Sequence, residues 1–120
     1  MKRVRVRNTS RGVYLAEDAG LASDFLSRGL GLMFRKSLPE GAGLVIKPGG
    51  QIHMFFMRFS IDVIHADKQG SILRVVHGIK PWRLGPMVRK SRLVVELPAG
   101  TAARTGTIAG DVIALEDAAS

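Results

Sequence analysis

Most of the chain shows the period-two alternation of apolar and polar residues that is typical of β-strands. This pattern predicts strands at residues 3–7, 13–16, 44–47, within 51–66, and at 71–77, 92–97 and 112–115. Helical spacing predicts one short helix near residues 21–29 and a helical turn near 101–105. Seven or eight short strands without a βαβ rhythm predict a mainly β fold, a compact antiparallel β-sandwich or barrel-like domain.

The length and composition favour a single domain over residues 1–120 with its own hydrophobic core, since 46% of the residues are hydrophobic. The first eleven residues form a basic strand or arm, and residues 116–120 form a frayed tail. The absence of cysteine excludes disulfides, thiolate nucleophiles and cysteine-based zinc sites. No apolar run follows the basic N-terminus and no stretch is long enough to span a membrane, so we expect a cytoplasmic protein without a membrane partner.

The net charge of +8 is concentrated in two basic segments, residues 2–11 and residues 80–92, neither of which contains an acid. Two such segments indicate a polyanion partner such as nucleic acid. The alternation RVRVR fits better with a charged edge strand that blocks edge-to-edge aggregation. No aromatic, zinc-finger or helix-turn-helix signature of a nucleic-acid module accompanies the charge.

Several ordered motifs carry a resemblance to a known family. The stretches GLMFRKSLPEGAGLV, IHMFFMRFSIDVIHAD, KPWR, VVELPAGTAARTG and AGD resemble the domain-of-unknown-function 192 family of small prokaryotic proteins, over a core of residues 12–115. The resemblance implies a β-sandwich-like domain with a short helix near its start, and it implies no activity. Ser60, Met54 and the pair His65-Ala66 depart from residues common in the family, which argues against full burial of the strand end near Asp67.

Asp62 is a lone acid inside the longest apolar stretch, and an ionised carboxylate out of water needs partners. In an extended strand Asp62 shares a face with Arg58 and Ser60 rather than with the phenylalanines. We expect Arg83 or Arg74 as its partner across the sheet, and Glu96 as the partner of Arg58. Two interpretations stay open: a structural role, in a salt-bridged face or through hydrogen bonds to loop amides, and a polar pocket lined by Arg58, Asp62 and Glu96.

The segment KPWRLGP places Trp82 between Lys80 and Arg83 on a proline-stiffened loop. An aromatic residue beside cations is common at binding surfaces, where it would roof the polar pocket. An indole that caps the end of a sandwich core explains the same residues equally well.

Catalytic and metal chemistry have weaker support. Asp62 and Glu96 are an acid pair without a recognisable nucleophile, and Ser60 lacks the glycine-flanked turn of a serine nucleophile. His53, His65 and His77 are spaced twelve residues apart, but strand pairing around the turn near residues 68–70 does not bring His65 opposite His77. We therefore predict no catalytic residue, no metal site and no cofactor.

The sequence favours a non-catalytic binding or interaction module. Its ligand would be a small polar or anionic molecule or a protein segment, and its candidate binding residues are Arg58, Asp62, Trp82, Arg83 and Glu96. Two alternatives remain: polyanion binding through residues 2–11 and 80–92, and an enzyme with a carboxylate-centred site.

Overall fold

The computed structural model describes residues 1–24, 32–33 and 35–118. Within them the chain forms seven strands and one short helix, α1 (Thr101–Thr105). The strands are β1 (Lys2–Asn8), β2 (Val13–Ala22), β3 (Ala42–Ile46), β4 (Ile61–Ala66), β5 (Ile72–Ile79), β6 (Leu93–Pro98) and β7 (Ile113–Asp117). The predicted mainly β fold and the helical turn near residues 101–105 are confirmed.

The seven strands form one curled sheet, a half-barrel, in the order β5-β4-β6-β3-β2-β1-β7. Every neighbouring pair is antiparallel except β2 and β3, which run parallel. The curl brings the two ends of the sheet together, because Ser71 beside β5 forms a bridge with Val112 beside β7. The sheet is therefore mixed, where the sequence alone predicted an antiparallel one.

Two local expectations are wrong, and a third can be compared with the structure only at its start. Residues 21 and 22 end β2 and residues 23 and 24 are not helical, so the described part of the predicted helix is absent, while residues 25–29 lie outside the described residues. β1 is not an edge strand, because it pairs with β2 on one side and with β7 on the other. The apolar stretch from residue 51 becomes a strand only at Ile61, and residues 51–60 lie on the sheet instead of in it.

Apolar residues fill both faces of the sheet. The first cluster, here the barrel core, draws residues from all seven strands and lies inside the curl, where it includes Val6, Val45, Ile64, Val95 and Leu97. The second cluster, here the covered core, joins Leu44, Val63 and Val94 of the sheet to residues outside the strands. Those covering residues are Leu32, Leu38, Ile52, Met54 and Met57. Residues 51–57 thus form part of a lid on the outer face.

His65 and Ala66, where the family departures argued against full burial, have no exposed surface. Both belong to β4, which lies between β5 and β6 and is covered on both faces. Among the described residues, no helix is long and apolar enough to cross a membrane.

Candidate functional site

Asp62 is buried with 1% of its surface exposed, and three backbone amides surround its carboxylate. The N–H of Gly78 donates to Oδ1 at 2.9 Å, and the N–H groups of Gly100 and Ala102 donate to Oδ2 at 3.1 and 2.9 Å. Gly78 and Gly100 have φ of 59° and 95°, a backbone conformation that favours glycine. The expectation of an arginine partner is wrong, and Asp62 accepts the backbone hydrogen bonds that the structural interpretation predicts.

Glu96 lies on the opposite face of the sheet from Asp62. In the register of β4 and β6, Asp62 pairs with Leu97 of the barrel core, whereas Glu96 pairs with Val63 of the covered core. Directly paired residues share a face and successive residues alternate, so no single pocket can contain both carboxylates. The predicted grouping of Arg58, Asp62 and Glu96 is therefore not formed.

Glu96 is 5% exposed, and within the described part of the chain its carboxylate has no hydrogen-bond or ion-pair partner. Burial raises the pKa of Glu96 to about 7 from 4.5. Its predicted partner Arg58 is exposed and forms no ion pair with any described residue.

His65 lies on the same face as Glu96, two positions farther along β4. Its Nδ1 is 3.1 Å from Oγ of Ser91, which itself donates to the carbonyl of Gly49 at 2.9 Å. Nδ1 must then carry the proton, and the buried Nε2 has no hydrogen-bond partner in the part of the chain that the structure describes. Burial, together with the charge of Arg74, lowers the pKa of His65 to about 4. In the described residues no three histidine, cysteine or acidic side chains are grouped to hold a metal ion.

Trp82 belongs to an apolar surface that is exposed to solvent and lies on the same side of the sheet as the covered core. Five of the eight exposed large apolar side chains of the described residues fall within two short segments, 55–56 and 82–87. We call this group the aromatic surface; it consists of Phe55, Phe56, Trp82, Leu84 and Met87. Trp82 is 59% exposed, so it does not cap a core. Its ring centroid lies 4.8 Å from that of Phe56 and 6.3 Å from that of Phe55.

Backbone hydrogen bonds join the two segments that carry the aromatic surface. The N–H of Met54 donates to the carbonyl of Arg83 at 2.7 Å, and the N–H of Trp82 donates to the carbonyl of Met54 at 2.8 Å. Farther along, the N–H of Gly85 donates to the carbonyl of Ile52 at 2.9 Å. Ile52 and Met54 point into the covered core. Because side chains alternate along an extended segment, His53 and Phe55 point outward.

Two members of the aromatic surface have a strained backbone. Phe56 and Trp82 have φ of 62° and 63°, and Lys90 is the other described residue besides glycine with positive φ. Such conformations are costly for bulky residues and persist where the surrounding structure imposes them, often at binding sites. The fold therefore imposes an unusual backbone conformation on the two residues that carry these rings.

Six cations within or close in sequence to the segments of this surface are exposed and have no acidic partner among the described residues. They are Arg58, Lys80, Arg83, Arg89, Lys90 and Arg92. The N-terminal basic segment differs, because four of its five cations form ion pairs. These pairs are Lys2–Asp117 at 3.2 Å, Arg3–Asp18 at 2.8 Å, Arg7–Glu116 at 3.9 Å and Arg11–Asp111 at 2.7 Å.

Sequence reasoning found Trp82 and Arg83 but missed Phe55, Phe56, Leu84 and Met87. The signal was present in HMFFM, because adjacent phenylalanines in an extended segment cannot both enter one core. Leu84 and Met87 follow Trp82 in a segment rich in proline and glycine, which is poorly suited to burial in a strand.

A cavity of about 310 Å³ lies at the start of α1, lined by Glu40, Pro98, Ala99, Gly100, Thr101 and Arg104. Its two charged side chains face each other, with Arg104 Nη1 3.5 Å from Glu40 Oε1. The charges that could recognise a ligand there already neutralise each other, so the aromatic surface is the stronger candidate.

Known structures share this fold. A protein of unknown function from Novosphingobium aromaticivorans superposes with a TM-score of 0.80 over 93% of this chain and 83% of that chain, at 24% identity. A protein described as a putative transcription regulator from Sinorhizobium meliloti 1021 has a TM-score of 0.76 over 95% of this chain and 92% of that chain, at 25% identity.

Two archaeal proteins are similar in sequence. A UPF0127 protein of Pyrococcus horikoshii is 36% identical over 98 residues, which are 78% of this chain and 83% of that protein. A UPF0127 protein of Pyrococcus furiosus is 30% identical over 109 residues, which are 87% of this chain and 91% of that protein. These matches confirm the resemblance seen in the motifs. The family model DUF192, described as an uncharacterized ACR, matches residues 6–115, and the chain belongs to this family.

Proposed function

We propose that the protein is a non-catalytic interaction domain that docks an acidic protein segment on the aromatic surface. The observation that carries this proposal is a cluster of exposed aromatic rings, two of them on residues with positive φ, in segments whose cations have no acidic partner among the described residues.

The apolar part of the surface has the composition of a protein interface. Tryptophan, phenylalanine, methionine and arginine are enriched where proteins meet, and tryptophan and arginine dominate the binding energy. Methionine side chains adapt to partners of varied shape. Contiguous exposed apolar residues of this kind mark interaction sites on otherwise polar surfaces.

The charge of the surface selects an acidic partner. Residues 80–92 contain five basic residues and no acid, and none of these cations is neutralised by a described residue. Opposite charges across an interface accelerate association and exclude wrong partners. A segment that combines carboxylates with apolar side chains therefore complements this surface in both respects.

A protein segment is favoured over nucleic acid by the side chains that are most exposed. Met87 and Leu84 are 76% and 62% exposed, and aliphatic groups offer no face for base stacking. The alternative, polyanion binding, is supported by the unpaired cations of residues 80–92 and agrees with the description of the Sinorhizobium meliloti protein as a putative transcription regulator. The ion pairs of the N-terminal segment reduce the charge that it could contribute to such binding.

The non-catalytic part of the proposal is supported by the placement of the carboxylates. Asp62 and Glu96 lie on opposite faces of the sheet, and the oxygens of Asp62 are occupied by three amides. An acid pair that acts on one substrate must reach the same reacting atoms.

Trp82 is the single tryptophan of the chain, so its fluorescence reports directly on the surface. The probe is a short synthetic peptide in which Asp and Glu alternate with Leu and Phe. We expect it to shift Trp82 emission saturably to the blue, because docking removes the indole from water. The Arg83→Glu variant should bind about tenfold more weakly, since it replaces an attraction by a repulsion. Leu84→Ser should weaken binding in the same direction.

Lys68→Glu is the matched control. Lys68 is exposed in the turn between β4 and β5, and its substitution changes the net charge by the same amount as Arg83→Glu. A Lys-containing version of the peptide and an oligodeoxythymidylate of similar length complete the comparison. Equal binding of both peptides would contradict the proposal. Tighter binding of the oligonucleotide with a steep salt dependence would establish the nucleic-acid alternative instead.

A further inference from the structure

We propose that the aromatic surface is proton-linked: ionisation of Glu96 releases the segment carrying Phe55 and Phe56 from the outer face of the sheet. This inference rests on the proposed function, since it concerns the regulation of that same surface. It begins with a buried carboxyl group that the fold leaves without compensation.

Glu96 lies in the middle of the sheet. Its cross-strand neighbours are Val63 on β4 and Leu44 on β3, and both belong to the covered core. No described residue donates a hydrogen bond to its carboxylate, in contrast to the three amides around Asp62. A charge in such surroundings costs several kcal/mol, so the ionised form favours any arrangement that admits water.

The same covered core anchors the segment that carries the two phenylalanines. Ile52, Met54 and Met57 are buried in it, while Phe55 and Phe56 lie on the solvent side. If this segment lifts, water reaches the sheet face around Glu96 and the aromatic rings lose the support beneath them. The hydrogen bonds of Met54 and Trp82 described above would break in the same movement.

Other charged groups facing this side do not compensate Glu96. On β4, His65 is hydrogen-bonded to Ser91, and its pKa of about 4 keeps it neutral near neutral pH. On β5, Arg74 lies opposite His65. The covering segments contribute the partly buried His53 and three exposed cations, Arg35, Lys36 and Arg58, and none of these groups forms an ion pair with Glu96.

The sign of the effect follows from linkage. Burial raises the pKa of Glu96 from 4.5 to about 7, so the closed arrangement holds the proton more tightly than an open one. As the pH rises through 7, the closed arrangement loses stability relative to the open one. With these two values, opening becomes about tenfold more favourable between about pH 6 and pH 8.

Amide hydrogen exchange on the free protein tests this directly. The reporting amides are those of Met54, Trp82 and Gly85, whose bonds join the two segments. After correction for intrinsic exchange, their protection in the wild type relative to Glu96→Gln should fall about tenfold over that pH range. The amides of Thr9 and Ile113, which donate to the carbonyls of Val112 and Gly70, serve as references for global unfolding. Their protection should stay higher than that of the reporting amides throughout the pH range, because the segment opens without unfolding of the sheet.

His53→Gln is the control for the other titratable group beside the surface, because His53 stacks on Phe55 with ring centroids 5.2 Å apart. The amide protection of this variant should show the same pH dependence as that of the wild type. Glu96→Leu provides a second removal of the carboxyl group if Glu96→Gln folds poorly. The proposal is overturned if the protection of the reporting amides does not fall relative to Glu96→Gln between pH 6 and pH 8, or if it equals that of the reference amides. Because no peptide is present, that failure would leave the docking function standing, whereas failed peptide binding with a normal proton response would reject docking.

Discussion

Asp62 and Glu96 lie on neighbouring strands and are both almost inaccessible to water, yet the fold treats them differently. Asp62, on the barrel side, receives three backbone N–H groups from β5, from the turn before α1 and from α1 itself. Glu96, on the covered side, receives none from the described residues. A compensated carboxylate ties separate segments of backbone together, whereas an uncompensated one makes its surroundings sensitive to protonation. Asp62 thus connects separate parts of the barrel side, whereas Glu96 is the basis of the proton response that we propose for the covered side.

The two basic segments repeat this contrast among cations. Both have five basic residues and no acid in sequence, but in the N-terminal segment acids from β2, β7 and the residues near them neutralise four of the five. The segment of residues 80–92 retains its charge beside the aromatic surface. Segments of the same local charge therefore differ in their availability to a partner.

The largest effect is expected from Asp62→Ala. It leaves three buried N–H groups without their acceptor, so we expect a loss of about 3–5 kcal/mol in the free energy of unfolding. Urea denaturation monitored by circular dichroism measures this loss.

Asp67→Ala is the matched control. Asp67 also accepts two backbone N–H groups, from Gln69 and Ser71, but it does so in an exposed turn where water can replace it. We expect a loss of about 1 kcal/mol. Equal losses for the two variants would show that the burial of Asp62 does not set its importance, and the contrast with Glu96 would disappear.

The alternation of β4 could be read from the sequence, and it placed Asp62 on the same face as Ile64 and opposite Val63, as the structure does. Its partners could not be read, because Gly78 and Gly100 lie 16 and 38 residues away and contribute backbone atoms, which any residue type possesses. Sequence reasoning looks for arginine because only side chains differ between residues.

Residues 51–60 show a second limit. Their apolar composition is equally typical of a buried strand and of a lid on a sheet, and periodicity cannot separate the two. The pairing of β1 shows a third limit. The RVRVR pattern reveals the alternation of the strand but not how many neighbouring strands it has. The candidate site depends on the ambiguity of residues 51–60, because Phe55 and Phe56 belong to the lid.

The next effect concerns Glu96. Its raised pKa means that its contribution to stability is fully present below pH 4.5 and is lost as the pH rises through 7. The loss in the free energy of unfolding is about 2–3 kcal/mol between about pH 5 and pH 8. Glu96→Gln removes this loss, so its stability relative to the wild type should increase across that range. Urea denaturation at several pH values measures it, with Glu40→Gln at an exposed site as the control. A pH-independent difference between Glu96→Gln and the wild type would remove the contrast between the two carboxylates.

His65 lies on the same face as Glu96 and has the opposite effect on how stability depends on pH. Its pKa, lowered to about 4, means that its contribution is present above 6.5 and is lost as the pH falls through 4. Between about pH 8 and pH 5 the loss is about 2 kcal/mol, nearly equal and opposite to the change from Glu96. The wild type should therefore show a shallow pH dependence over this range, while His65→Leu loses stability as the pH rises and Glu96→Gln gains it. Slopes of the same sign in the two variants would contradict this balance.

The smallest effect distinguishes the ion pairs of the N-terminal segment from one another. Asp111 is a third buried carboxylate, and its hydrogen bonds from Arg11 and then Asn8 hold its pKa below the usual 3.8. Its contribution to stability is present above pH 3.8 and is lost as the pH falls further, so Arg11→Gln should destabilise the protein by about 1 kcal/mol at neutral pH and less in acid. Arg3→Gln is the exposed counterpart, since both Arg3 and Asp18 face solvent, and its effect should stay within about 0.5 kcal/mol. Thermal denaturation at low and high salt compares them. If Arg3→Gln costs as much as Arg11→Gln, then burial of the acid does not govern these pairs, and the ordering from Asp62 down to Asp18 fails at its lower end.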